Sequence, residues 1–352
     1  MKIAVVADVH VGNFPKFGGE ERGGINERCR MVLAALAEAV RIANERDCTL
    51  VVAGDLYEEK RPPPAVVAAV QNVLHLADET PLVVLGNHDA IGPGDHAMAP
   101  LWPVANVVAN EWAYHDGVLF VPWSPQPALE MLDAALEASK SEGPVRTVVC
   151  HFGIYDQGFP PWLKGGGAAA VTDLRTRMVE HGVRILLAGD YHEHREWKGR
   201  QTRVVQVGCL SPTGFNNPGH ERYGSVLIVD TDASPGKAIE RVEVAGPRFL
   251  QFRDGEVDFA LVEELKAAGH TPFVRVQCAP GHEEQAEQGS GKVLDKGEVD
   301  FDVVPDQIDT ESPAEVDATA STDEAVAGYI AAMELPPGVE ADEVLECVRR
   351  YL

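Results

Sequence analysis

Five short segments carry residues able to bind metal ions, and each directly follows an aliphatic run. Val5-Val6-Ala7 leads to Asp8-Val9-His10; Val51-Val52-Ala53 to Gly54-Asp55; Val83-Val84-Leu85 to Gly86-Asn87-His88-Asp89; Val148-Val149-Cys150 to His151; and Leu186-Leu187-Ala188 to Gly189-Asp190-Tyr191-His192-Glu193-His194. Any one of these alone reads as a turn aspartate or a pair of surface histidines. Together Asp8, His10, Asp55, Asn87, His151, His192 and His194 offer seven oxygen and imidazole donors, too many for one tetrahedral ion. With one carboxylate bridging, they suit two. Imidazole mixed with carboxylate and an amide oxygen favours Mn²⁺, or else Fe²⁺ or Zn²⁺, over an all-oxygen Mg²⁺ site or a thiolate site. Two such ions about 3.5–4 Å apart hold a phosphate between them and turn a shared water into hydroxide for in-line attack.

Donors so distant in the chain meet only if a sheet delivers them to one edge. Apolar runs at 3–7, 50–53, 82–85, 118–122, 145–150, 184–188, 204–207 and 226–229 read as strands. Between them, 26–46, 65–76, 128–138 and 173–181 carry apolar residues at helical spacing, such as Met31, Leu33, Leu36, Val40 and Ile42. Strands alternating with helices predict a layered α/β domain, in which ligands bind at the carboxyl ends of the strands.

The chain of 352 residues, 45% hydrophobic and 24% charged, is long enough for two domains. We divide it at residues 1–245, a small α+β domain at 246–306, an acidic Pro- and Thr-containing linker at 307–322, and a helical segment at 323–352. The strand that opens the chain lacks the charged, apolar and cleavage regions of a signal peptide, and no apolar run spans a bilayer; a cytoplasmic protein with no membrane contact is expected. The six cysteines are scattered singly in apolar segments and read as reduced core residues. Gly289-Ser290-Gly291-Lys292 resembles the end of a phosphate-binding loop, but Val293 replaces the Ser or Thr that holds magnesium, so that reading is rejected.

The ordered set Asp-x-His, Gly-Asp, Gly-Asn-His-Asp, His and His-x-His resembles the calcineurin-like metallophosphoesterases, over roughly the first 230 residues. That resemblance implies a layered metallophosphoesterase fold of mixed sheets flanked by helices. It implies Asp8, His10 and His194 on a first metal, Asn87, His151 and His192 on a second, and Asp55 bridging. His88 would face the phosphate, stabilising its charge and helping to protonate the departing oxygen. Asp89 reads either as the group orienting His88 or as a turn aspartate, and Asp190 either as a partner of a ligand histidine or as a turn former. His96 and Glu193 stay open; His75, His115, His181, His220, His270 and His282 have no comparable setting.

Within the superfamily, Gly54-Asp55-Leu56-Tyr57 followed by Lys60-Arg61-Pro62-Pro63, Asn26-Glu27-Arg28, and the run GCLSPTGFNNPGHERYGSVLIVD resemble SbcD-type double-strand-break repair nucleases and related phage recombination nuclease subunits. Glu58 stands where many of these place a histidine or aspartate. The resemblance implies a DNA exonuclease or endonuclease, a homodimer, and an SbcC-type coiled-coil ATPase partner docked on the terminal helices. A net charge of -25 opposes DNA binding overall, yet two metal ions and a local basic rim suffice to hold phosphates. Lys16, Arg22, Arg28, Lys60, Arg61 and Lys164 are the candidates for that rim, each equally readable as a solvated surface charge. A small-molecule metallophosphodiesterase or phosphatase would use the same metals.

Overall fold

The computed structural model describes residues 1–156, 167–253, 257–278 and 299–303. Two six-stranded sheets make up its body. The first runs Ile239–Glu243, Ser225–Asp230, Lys2–Val6, Thr49–Ala53, Leu82–Val84, Asn106–Val108 across the sheet; the second runs Arg195–Lys198, Arg203–Gln206, Ile185–Gly189, Thr147–His151, Val118–Val121, Ala113–His115. The central strands are parallel, and antiparallel strands close both edges of the second sheet and one edge of the first.

Alternation along each strand builds four layers. Ile3, Val5, Val51 and Val84 face inward against Phe120, Val149, Leu187 and Val205 of the second sheet. Ala4, Val6, Val52 and Val83 face outward, beneath Leu36, Ala39 and Val40 of the helix Glu27–Glu45. On the far side Val148, Cys150, Leu186 and Ala188 pack under the helices Ala128–Ala138 and Val171–His181. Burial on both faces is why these strands read as continuous aliphatic runs. Truncating a residue such as Leu187 to alanine costs about 2–5 kcal/mol.

Local chemistry sets the ends of the elements. The Asn26 side chain accepts the Cys29 N–H at 2.8 Å and caps the long helix, a contribution of about 1 kcal/mol. Five cysteines among the described residues are buried and free, as expected of core thiols.

Strands Pro247–Arg253, Thr271–Cys278 and Val299–Val303 form a separate parallel sheet, with helix Phe259–Ala267 joining the first two. The strand at Pro247–Arg253, the edge strands Asn106–Val108, Ala113–His115, Arg195–Lys198 and Ile239–Glu243, and the short pair Gly153–Tyr155 and Ala168–Ala170 were not evident from periodicity. Most are brief or carry polar residues on an exposed edge, which erases the apolar signal. The 307–322 linker, the helical segment 323–352, the Gly289-Lys292 stretch, Lys164 and His282 lie outside the described residues.

Candidate metal centre

Every donor block sits where a parallel strand ends. Asp8 and His10 follow Lys2–Val6, Asp55 follows Thr49–Ala53, Asn87 and His88 follow Leu82–Val84, His151 closes Thr147–His151, and His192 and His194 follow Ile185–Gly189. The chain turns sharply there. Asp8, His10, Asp55 and Asp190 all have positive φ, at 48°, 52°, 51° and 97°, four of the seven non-glycine residues so placed among those described. Such backbone is uncommon away from glycine and clusters at functional sites. Gly54, with φ of 88°, brings its backbone against the His151 ring where a Cβ would collide, and a Cβ on Gly86 would strike the Asp55 carboxylate.

The imidazoles are aimed by the groups that stand behind them. His151 Nδ1–H donates to the Ala53 carbonyl at 2.9 Å, His194 Nδ1–H to Val207 at 2.9 Å, and His88 Nδ1–H to Glu58 at 3.1 Å. His192 Nδ1–H donates to Asn217 Oδ1 at 3.0 Å, an oxygen that also accepts the Thr213 hydroxyl at 3.1 Å. Each ring therefore presents Nε2 forward, the arrangement found behind metal-bound histidines.

In front, atoms able to bind metal converge. His10 Nε2 lies 3.1 Å from His192 Nε2, and His151 Nε2 lies 2.9 Å from Asn87 Oδ1. Asp55 turns one oxygen to each side: Oδ1 is 3.4 Å from His151 Nε2 and Oδ2 is 3.8 Å from His10 Nε2. Asp8 and Asp55 are buried. Asp8, His10 and His192 form one group with donor atoms close enough to share an ion; Asp8, Asp55 and His151 form another, and His10, Asp55 and His88 a third.

The field of this cluster gathers positive charge. Burial pushes the Asp8 carboxyl up to about 7, against the pull of His151. Burial also works against ionisation of Asp55, but the charge and hydrogen bond of His151, with His10 behind them, hold it well below the usual carboxylate range. Desolvation disfavours a charged His151 imidazole, yet Asp55, Asp8 and Asp190 together raise it well above its ordinary value. Buried carboxylates and inward lone pairs fit a divalent cation, and the donor set fits two.

Six of the seven sequence-predicted donors, Asp8, His10, Asp55, Asn87, His151 and His192, thus come together. His192, expected on the same ion as Asn87 and His151, has its Nε2 close to His10 and Asp8, with Asn217 behind its Nδ1. His194, expected there, stands at the margin, its Nε2 3.6 Å from Glu196. Asp89 does not orient His88. Fully buried, it accepts the backbone N–H groups of Leu56, Tyr57 and Gly86 at 3.3, 3.0 and 3.1 Å, and so braces the two loops that carry Asp55 and His88. Burial, with the neighbouring charge of Asp55, pushes it up to about 7. His88 is held instead by the Glu58 carbonyl and by its own N–H, which donates to Asp55 at 2.9 Å.

Asp190 meets the centre in two ways: its backbone N–H donates to both oxygens of Asp8, at 2.9 and 3.2 Å, and its Oδ1 lies 3.9 Å from His151 Nε2. Glu193 pairs with Arg195 and Arg222, and His96 is buried near Trp102, in no donor group. Asn217 is an addition that sequence reasoning missed, and Glu58, singled out there only as a departure from the SbcD-type pattern, proves to contact His10 and His88. Nothing in the residue types separates Asn217 from Asn216, and Glu58 acts partly through its backbone.

The proposed basic rim divides. Arg28 cannot serve it: 2% exposed, it donates to the carbonyls of Lys16 and Thr213 at 3.0 and 2.6 Å and stacks on Phe14 and Phe249. Arg22 pairs with Glu20 at the surface, and Lys16 lies over Phe17 and Phe215. Lys60 and Arg61 are exposed just after Glu58.

Parallel strands of two packed sheets that unload paired carboxylates and imidazoles at one edge define a metallophosphoesterase. The chain belongs to the calcineurin-like phosphoesterase family, whose sequence model matches residues 1–194, and it is by that membership a metal-dependent phosphoester hydrolase. Among solved structures it is similar to TT1561 of Thermus thermophilus, at 15% identity over 69% of this chain and 98% of that one, with a TM-score of 0.44. It is similar also to an archaeal phosphodiesterase, at 13% identity over 69% and 99% of the two chains (TM-score 0.37). A third is GAP50, the anchor in the inner membrane complex of Plasmodium, at 12% identity over 76% and 94% (TM-score 0.39). A search of curated protein sequences finds no significant match. Among the described residues no helix is long and apolar enough to cross a membrane.

Proposed function

We propose that this chain is a two-metal phosphodiesterase acting on DNA, the nuclease subunit of a repair or recombination complex. The observation that carries the phosphodiesterase reading is the convergence of metal-binding atoms, His10 and His192 Nε2 on one side of the buried Asp55 carboxylate and Asn87 Oδ1 and His151 Nε2 on the other. Asp8, His10 and His192 would hold one ion, with His194 at its margin, and Asn87 and His151 the other, with Asp55 between. When bound, two divalent ions, Mn²⁺ by preference and otherwise Fe²⁺ or Zn²⁺, supply positive charge against a phosphate and lower the pKa of water.

The rest is protein chemistry. His88, its Nδ1–H fixed on the Glu58 carbonyl, turns Nε2 outward; when that nitrogen also carries a proton, the imidazolium donates to a phosphate oxygen and passes the Nε2 proton to the departing alkoxide, returning to neutral imidazole. Asp89 keeps that loop rigid through the backbone of its neighbours.

A polymeric substrate is favoured by the second module beside the centre. Gly219, two residues from the Asn217 that holds His192, bonds through its N–H to the carbonyl of Phe249 at 2.7 Å, so the parallel unit stands against the site loop. Lys60 and Arg61 follow the Glu58 that holds His88 and supply phosphate contacts; Lys16 extends the rim. A homodimer, docking of an SbcC-type ATPase on residues 323–352 and a cytoplasmic setting complete the reading.

The test is manganese-dependent degradation of end-labelled single- and double-stranded DNA, beside a His88→Ala variant and a chromogenic phosphodiester. Cleavage of DNA by the native protein but not by the metal-loaded variant supports the reading. Cleavage of the small ester alone, even with the ATPase added, assigns the centre to small-molecule phosphodiesters.

A further inference from the structure

We propose that Glu58 is a positioning residue for one of the two metal ions, holding His10 through Nδ1 and making the two ion sites unequal; this rests on the two-metal reading above.

Of the five histidines at the centre, four have a neutral oxygen behind Nδ1: the carbonyls of Ala53, Glu58 and Val207, and the Asn217 amide. Only His10 faces a carboxylate, with Glu58 Oε2 2.8 Å from its Nδ1. Both atoms are buried, and neither has a hydrogen-bond partner of regular geometry; each is the nearest complement of the other. A small turn of the His10 ring converts this contact into an Nδ1–H donated to the carboxylate, with Nε2 aimed at the ion.

The fold builds this contact through its backbone. Beyond the ends of their strands, Val11 and Tyr57 form a parallel bridge, Val11 N–H donating to Leu56 at 2.8 Å and Glu58 N–H to Val11 at 3.2 Å. That register sets the Glu58 side chain beside His10. Gly12 makes room for it, since a Cβ there would stand 2.7 Å from Glu58 Cβ. The same residue holds His88 through its carbonyl, which no side-chain substitution removes. An anion behind a ligating imidazole raises its basicity, and loss of such a partner weakens metal affinity by about 10-fold to 100-fold.

The experiment is calorimetric titration of the full-length protein with Mn²⁺, for the native chain, Glu58→Gln and Glu58→Ala, with thermal melting of each before metal is added. The expected result is two uptake steps in the native protein. One should weaken by about 10-fold in Glu58→Gln, which keeps an acceptor but not the charge, and by up to about 100-fold in Glu58→Ala. The other step and the metal-free melting temperature should not move. Native affinities at both steps in both variants overturn the proposal. So does equal weakening of both steps with a lowered melting temperature, which makes Glu58 a structural residue. A native protein that takes up no manganese fails the two-metal reading itself, and the proposal with it.

Discussion

His10 and His192, from strands of different sheets, meet Nε2 to Nε2 at 3.1 Å. His192 carries its proton on the far nitrogen, toward Asn217, so the near one presents a lone pair. An Nε2–H of His10 donating to that lone pair accounts for the distance, and a cation shared by the two nitrogens would take that proton's place.

Metal uptake should therefore be visible as stability. At a free Mn²⁺ concentration 100 times the dissociation constant, native-state binding adds about 2.7 kcal/mol per site. Differential scanning calorimetry with Mn²⁺ and then with a chelator should show a melting temperature raised by several degrees, and Asp8→Asn or His192→Ala should abolish the part owed to their ion. Identical curves with and without metal contradict the assignment.

Asp89 and His88 are neighbours with opposite expected phenotypes. Removing the Asp89 carboxylate leaves the buried N–H groups of Leu56, Tyr57 and Gly86 without an acceptor, at about 1–3 kcal/mol each. Asp89→Ala should give a destabilised or insoluble protein. His88→Ala should melt like the native chain, bind metal, and lose hydrolysis by about 10²-fold to 10⁴-fold. A stable Asp89→Ala protein with only a catalytic defect would favour the orienting role that the geometry argues against.

Asn217→Leu removes the acceptor behind His192 while keeping its branched shape. Manganese affinity should fall by about 10-fold, with little change in the metal-free melting temperature. Equilibrium dialysis at several metal concentrations measures this; unchanged affinity would mean that the ring is aimed by packing alone.

The cations near the site should separate by burial. Lys60→Ala with Arg61→Ala should weaken DNA binding and reduce the slope of log K against log salt by about 2, one unit per lost phosphate contact. Arg28→Ala should instead cost about 2–4 kcal/mol of stability, since Arg28 donates to two carbonyls and stacks between Phe14 and Phe249. Binding of labelled duplex across a salt series checks the first, and urea denaturation the second. An unchanged salt slope would remove Lys60 and Arg61 from the rim.

The donors were legible because buried parallel strands write themselves as aliphatic runs, and the residues after each run must emerge at one edge. Asp8, Asp55, Asn87 and His151 needed only that rule. The support behind the His192 ring was not legible, since it comes from Asn217, 25 residues away in the chain and placed by a turn-rich loop. Nor was the use of Asp89, whose partners are backbone groups common to every residue. Arg28 looked like a surface cation because its position in the helix gives no sign that Phe249, 221 residues further on, closes over it. Edge strands such as Arg195–Lys198 escaped for a related reason: half of their surroundings is solvent.

Anomalous diffraction from crystals soaked in manganese tests the central claim most directly. Two peaks on either side of the Asp55 carboxylate, one against Asp8 and His10 and one against Asn87 and His151, are the predicted result. A single peak, or manganese bound only at surface carboxylates, would contradict a two-metal centre and the phosphodiester chemistry built on it.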